Sequence, residues 1–133
     1  MVLGYIGFGE AAFEMSTGLR GEGLKDIVAF DNMIEHPVFG PQIKNRAGLS
    51  AVKLLPSAAE VIAASDLVMV AVPASVTLRT CETIAEYFRP GQLYVDLTAA
   101  SPAVKKAAAL LAGKYGADFV DAAMMGVLPK FKH

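Results

Sequence analysis

A doubly wound parallel α/β sheet is the architecture this sequence predicts, and three observations predict it. Short apolar runs alternate with stretches of helical periodicity through almost the whole chain. The run Leu67-Val68-Met69-Val70-Ala71-Val72 is continuously apolar, as a strand becomes when helices cover both faces of its sheet. A glycine turn, Gly7-Phe8-Gly9, joins the first apolar run to the first helical stretch. The 133 residues read as one domain, 1–133, with no repeat or linker that divides them. Crossovers are expected to be right-handed, and the doubly wound reading carries an expected strand order of 3-2-1-4-5-6.

Each element has its own local reason. Val2–Ile6 is β-branched and aromatic, and Glu10–Arg20 follows as a helix with Ala11, Ala12, Met15 and Leu19 on one apolar face. Gly21 and Gly23 are placed to end that helix. Ile27–Phe30 reads as a second buried strand, closed by Asp31. The segment 32–50 is polar and carries Pro37, Gly40 and Pro41, so at most a short helix near Gln42–Ala47 is expected. Ala51–Leu54 is the third strand; Ser57 then N-caps a helix through Ala64, with Glu60 at the capping-box position. After the strand Leu67–Val72, one helix is expected from Pro73 to Phe88, with Leu78, Cys81, Ile84, Ala85 and Phe88 as its stripe. Leu93–Asp96 is the fifth strand. Ser101 caps the last helix with Pro102 at its first position, and Val104, Ala108, Leu111 and Tyr115 form its expected buried face. Asp118–Val120 is the sixth strand.

Composition narrows the function classes. Hydrophobic residues make up 54% and charged ones 19%, which excludes a disordered chain and predicts a sizeable core. Twelve Lys and Arg against thirteen Asp and Glu leave a net charge of −1, so no bulk positive field recruits nucleic acid or an acidic membrane. A single cysteine forms no internal disulfide and no cysteine-cluster metal site. The first residues lack the basic region of a signal peptide, and the most apolar run, 67–76, is about half the length a bilayer span needs. The expectation is a soluble cytoplasmic domain without a metal.

The chemistry concentrates in Gly7-Phe8-Gly9-Glu10-Ala11-Ala12, a G-x-G-x-x-A sequence. Gly7 permits a tight turn out of the strand, Gly9 lets backbone approach a diphosphate, and Ala12 keeps the helix close to the sheet. Free N–H groups and the positive dipole end of the helix then face that diphosphate. Asp31 follows 24 residues after Gly7, at the end of the second strand, where a carboxylate accepts both adenosine ribose hydroxyls and repels a 2′-phosphate. Asn32 and Met33 are its neighbours and no arginine follows closely. This pattern reads as a Rossmann-type dinucleotide site for NAD, with NADP admitted if Lys44 or Arg46 reaches in. The alternatives are a glycine turn that only shapes the loop and an aspartate that only starts a turn.

These residues together resemble the nucleotide-binding domain of the β-hydroxyacid dehydrogenases, which include 6-phosphogluconate and 3-hydroxyisobutyrate dehydrogenases. The resemblance extends over Val72-Pro73-Ala74, over Asp96-Leu97-Thr98-Ala99-Ala100-Ser101-Pro102, similar to D-x-S-T-x-x-P, and over Asp121-Ala122-Ala123-Met124-Met125-Gly126, in place of D-A-P-V-S-G-G. It implies that the loop of Val72, Pro73 and Ala74 borders the cofactor, and that Thr98 lies near the nicotinamide ribose. It also implies a small hydroxy acid as substrate, and leaves a homo-oligomer open. At the substrate motif, Met124 and Met125 stand where the family has a serine, so either the substrate differs or only backbone near Gly126 contributes; core filling is the alternative reading of both methionines. The family's G-x-x-x-N-x-x-K motif, on a second, helical domain, is not found in these residues, so a catalytic acid or base is expected from elsewhere. Residues from about Val127 onward are expected to be poorly ordered or packed on another copy.

Two further readings stay open: a non-catalytic NAD-binding or sensing module, and a methyltransferase binding S-adenosylmethionine at a related turn. His36 and Lys105-Lys106 are expected to be solvated, and Cys81 to be a buried inert thiol.

Overall fold

The computed structural model describes residues 1–122 and 124 of the chain. Its elements are β1 (Leu3–Ile6), α1 (Glu10–Gly21), β2 (Ile27–Phe30), α2 (Phe39–Leu49), β3 (Lys53–Leu54), α3 (Ala58–Ala64), β4 (Leu67–Val70), α4 (Thr77–Ile84), β5 (Leu93–Asp96), α5 (Pro102–Lys114) and β6 (Asp118–Asp121). The strands form one sheet in the order β3-β2-β1-β4-β5-β6 with every pairing parallel. This is the expected doubly wound order. The winding of the sheet reverses between β1 and β4, parallel neighbours whose residues Leu3–Ile6 and Leu67–Val70 run in register. At such a reversal the neighbouring connections leave in opposite directions and open a crevice above the carboxyl ends.

The sheet buries a cluster on each face. Leu3, Tyr5, Ile27, Ala29 and Val95 point to the side covered by α1 and α2, through Ala12, Ile43 and Ala47. Ile6, Val68, Val70 and Tyr94 point to the opposite side, against Val61 and Ile62 of α3, Cys81 and Ile84 of α4, and Ala108 and Ala112 of α5. Alternate residues of the central strands therefore enter different cores, which is why those strands lack a polar face.

Several local departures have identifiable causes. Segment 32–50 holds an 11-residue helix, longer than its sequence suggested. The missing cap comes from His36, whose Nδ1 accepts the N–H groups of Val38 and Phe39 at 3.1 and 3.2 Å, and whose ring packs on Phe39. His36 is thus half-buried and structural, correcting its reading as a solvated side chain. Pro41 falls in the first turn, where its missing N–H costs nothing. The third strand shrinks to two residues because Ala51 takes φ 52° in the turn that ends α2. Arg20 reinforces that turn, donating to the carbonyls of Ser50 and Ala51 at 2.8 and 2.6 Å. The expected helix from Pro73 to Phe88 is instead α4 flanked by 3₁₀ turns at Ala74–Val76 and Ala85–Tyr87, although Cys81, Ile84, Ala85 and Phe88 are all buried as a stripe. Both serine caps form: Ser57 accepts the N–H of Glu60, and Ser101 that of Val104.

The largest correction concerns α5. Its buried face runs through Lys105, Ala108 and Ala112, while Val104, Leu111 and Tyr115 are only partly covered. Lys105 is 7% exposed, not solvated; Lys106 is exposed as expected. Among the described residues, no helix is long and apolar enough to cross a membrane, and no three His, Cys, Asp or Glu side chains converge as a metal site. The expectation for residues from Val127 onward lies outside the described residues.

Candidate functional site

The crevice above the β1/β4 reversal is built by two glycines with different duties. Gly7 takes φ +88°, and a Cβ there would run into the carbonyl oxygen of Ala71 just beyond β4. The fold itself therefore demands glycine at position 7. Gly9 is the opposite case. It is the N-cap of α1 at φ −86°, an angle open to any residue, and apart from its own chain neighbours no atom of the described residues lies within 4 Å of where its Cβ would stand. Packing gives no reason for glycine at position 9. A ligand laid against the turn does, because a side chain would keep it off the backbone. No side chain caps α1, so the N–H groups of its first turn face the crevice without an intrahelical partner.

Asp31 closes the far side of the turn. Its Oδ2 accepts the Phe8 N–H at 2.8 Å and its Oδ1 accepts the Met33 N–H at 2.9 Å. The turn role and the ligand role are thus compatible, since each carboxylate oxygen keeps a second acceptor direction. Both oxygens are held in place by backbone before any ligand arrives.

Two adjoining cavities follow the carboxyl edge. The first, of about 750 Å³, is lined by Gly7, Gly9, Asp31, Asn32, Val72 and Pro73 among others. The second, of about 340 Å³, is lined by Ala11, Val72, Ala74, Leu97, Thr98 and Met124, with Ala71 and Val72 shared between the two. Three of the residues expected at the site line neither. Phe8 and Ala12 are fully buried in the core beneath α1, so only backbone and close packing are available from them, and Glu10 is exposed on the first turn of α1. Met124 is 40% exposed on the cavity wall, which rules out core filling for that residue; Met125 and Gly126 lie outside the described residues. Thr98 is 7% exposed, and its Oγ1 has no hydrogen-bond partner among the described residues.

Arg46 of α2, named from the sequence as a cation able to reach in, lines the first cavity, and so does Arg79 of α4, which the sequence did not single out. No local pattern marks Arg79. The sequence reading also missed a buried ionic cluster below the second cavity. The Lys105 Nζ lies 2.9 Å from Asp96 Oδ1 and 2.7 Å from Asp121 Oδ1. Burial alone would lower the Lys105 ammonium, but hydrogen bonds to Asp121 and Asp96, with their charges, outweigh it and hold the group above its ordinary value. Cys81 is buried as expected, and burial pushes its thiol up, away from the reactive range.

A family model described as the NAD binding domain of 6-phosphogluconate dehydrogenase matches residues 2–130. The chain belongs to that family. Among solved structures, this NAD-binding domain is similar to a conserved hypothetical protein from Sinorhizobium meliloti 1021, at 27% identity and a TM-score of 0.89, over 98% of this chain and 44% of that one. A conserved protein of unknown function, described as structurally similar to 3-hydroxyacid dehydrogenases, is 29% identical with a TM-score of 0.81, over 98% and 46% of the two chains. The 3-hydroxyisobutyrate dehydrogenase of Mycobacterium tuberculosis, solved with L-serine, is 25% identical with a TM-score of 0.81, over 97% and 43%. The domain therefore spans less than half the length of these solved chains. No curated protein matches the sequence significantly.

Proposed function

We propose that this domain holds NAD(H) along its carboxyl edge as the cofactor-binding part of an oxidoreductase acting on a small hydroxy acid. The observation that carries the reading is Gly9: an unstrained glycine with open space at its Cβ position, at the uncapped start of α1. In this reading the first cavity takes the adenylate half, with Asp31 accepting the ribose hydroxyls and the first turn of α1 donating to the diphosphate. The second cavity takes the nicotinamide half against Val72, Ala74 and Thr98. The dinucleotide supplies hydride exchange at nicotinamide C4 when bound; the protein's part is position and electrostatics.

Asp31 favours NAD over NADP, because its fixed charge opposes a 2′-phosphate. Of the two cations the sequence offers in compensation, Lys44 stands 3.9 Å from Glu35 while Arg46 lines the first cavity, as does Arg79 of α4. Among the described residues, none that lines the second cavity has a titratable side chain. That observation favours a second reading for the chain by itself, a binding module that does not turn over, with the proton-transfer group supplied by another domain. Met124, and by the same reading Met125 and Gly126, would then face the substrate.

Calorimetric titration of the chain with NADH, NADPH and S-adenosylmethionine tests the binding. Saturable NADH binding, tighter than NADPH, supports the proposal; affinity for S-adenosylmethionine alone would replace it with the methyltransferase reading. Turnover of 3-hydroxyisobutyrate or 6-phosphogluconate by the chain, with and without a helical partner domain, separates the enzyme from the module.

A further inference from the structure

The carboxyl ends of β5 and β6 carry two aspartates, Asp96 and Asp121, which are register partners on adjacent strands. Partners in register project to the same face, so two like charges would stand side by side there. Lys105, reaching up from the second turn of α5, separates them. Its Nζ donates to Asp96 Oδ1 at 2.9 Å, to Asp121 Oδ1 at 2.7 Å and to the Asp96 carbonyl at 3.3 Å, which uses all three ammonium protons. The unit is asymmetric. Asp96 is fully buried and Lys105 nearly so, whereas the Asp121 side chain is 59% exposed.

Stability alone gives little reason for such a cluster. Lys105 lies on the same face of α5 as Ala108 and Ala112, where an apolar side chain would pack without the cost of burying an ammonium. What the charges do accomplish is geometric. Asp96 Oδ1 also accepts the Thr98 N–H at 2.8 Å, which folds the turn after β5, and the Asp96 carbonyl accepts the Ala122 N–H at 2.9 Å, which guides the exit from β6. The turn fixed in this way carries Thr98, a wall of the second cavity, which Met124 also lines. Asp96 Oδ2 and Thr98 Oγ1 are both buried without hydrogen-bond partners among the described residues, so the cluster holds the Thr98 turn through its backbone and leaves the hydroxyl uncommitted.

We propose that Lys105 is a positioning residue for the second cavity, tying Asp96 to Asp121 so that the Thr98 turn keeps its place relative to the exit of β6 at Ala122. The inference rests on the reading that the nicotinamide half of the dinucleotide lies there. None of the three charged residues lines either cavity, but the Thr98 turn that Asp96 holds lines the second and not the first, so the tie acts on that half of the site alone.

The test compares NADH with ADP-ribose, which lacks the nicotinamide, on the full chain and on Lys105→Met. Circular dichroism reports folding and calorimetry reports affinity. NADH affinity should fall about tenfold or more, towards that of ADP-ribose, as expected for the loss of one or two aligned hydrogen bonds. ADP-ribose affinity should change by less than about twofold, which a general loss of structure would not allow. If Lys105→Met fails to fold with Asp96 left unpaired, Asp121→Ala removes the outer half of the tie while keeping the buried pair, and should give the same selective loss. Equal losses for both ligands, or none for either, would overturn the positioning role while leaving dinucleotide binding intact. Failure of the unaltered chain to bind either ligand would instead remove the reading on which the inference rests.

Discussion

Two alanine substitutions, two residues apart in one turn, should have opposite consequences. Gly9→Ala places a methyl group in open space at φ −86°, so no strain or clash arises. Its stability cost is that of a poorer helix N-cap, roughly 0.5–1 kcal/mol. Binding should respond far more. A Cβ at this point lifts a diphosphate off the first turn of α1, and the loss of one or two hydrogen bonds to a charged group, each about 1.5–3 kcal/mol, gives a total of about 2–5 kcal/mol. That is roughly 30-fold to several thousand-fold in Kd for NADH. Gly7→Ala forces a methyl group onto the Ala71 carbonyl at φ +88°, where strain and overpacking together cost about 2–5 kcal/mol of stability. Thermal melts followed by calorimetric titration read both effects. A Gly9→Ala protein that melts normally and binds NADH as tightly as the unaltered chain would refute the assignment of that turn to a diphosphate.

Other expectations follow from the same geometry. Asp31→Ala should weaken NADH binding by about 1–3 kcal/mol and narrow the preference for NADH over NADPH, since it removes both a charged acceptor and the anchor of the Phe8 N–H; equal Kd values before and after would exclude the ribose contact. Burial pushes the Tyr5 hydroxyl up to about 12 and raises Tyr94 and Cys81 above their ordinary values, while Lys105 is raised by its carboxylate partners against the effect of burial. Each of these groups holds its proton more tightly in the folded state, so its stabilisation is complete below its ordinary value and is lost as pH rises towards the folded one. Denaturant midpoints should therefore fall from about pH 9 upward, beginning with Cys81, whose ordinary value is 9.0, and a midpoint that is flat to pH 11 would contradict this. The Cys81 thiol should resist an aromatic disulfide reagent in the native protein and react once the chain is unfolded; rapid native labelling would show that the α4–α5 packing opens.

The parts of this fold that could be read from sequence are those fixed by local chemistry. A strand covered on both faces has to be apolar throughout, and Leu67–Val70 is. Ser57 and Ser101 announce their helices because a hydroxyl is the usual partner for first-turn N–H groups. Helix α2 was shortened because its cap is an imidazole, and because Gly40-Pro41 inside its first turn looks like a break when the turn is not yet known to be helical. The strand that should have begun at Ala51 waits for a left-handed residue that nothing in Ala-Val-Lys-Leu signals.

Within the site the division is similar. Gly7, Gly9 and Asp31 carry their meaning in spacing alone, so their convergence was foreseeable. Lys105 was not, because two faces of α5 offer small or apolar residues at helical spacing, and the one with fewer charges was the natural choice for the core. Only the pairing of β5 with β6, which brings Asp96 beside Asp121, shows that a cation has a reason to enter. Arg46 and Arg79 come from separate helices, and their approach to one cavity is a product of tertiary folding.

The central claim is tested most directly by a crystal structure of the chain with NADH. The account predicts diphosphate oxygens within about 2.7–3.2 Å of first-turn N–H groups of α1, a ribose on Asp31, and the nicotinamide beside Thr98. A dinucleotide bound away from the Gly7–Gly9 turn, or none at saturating concentration, would contradict it.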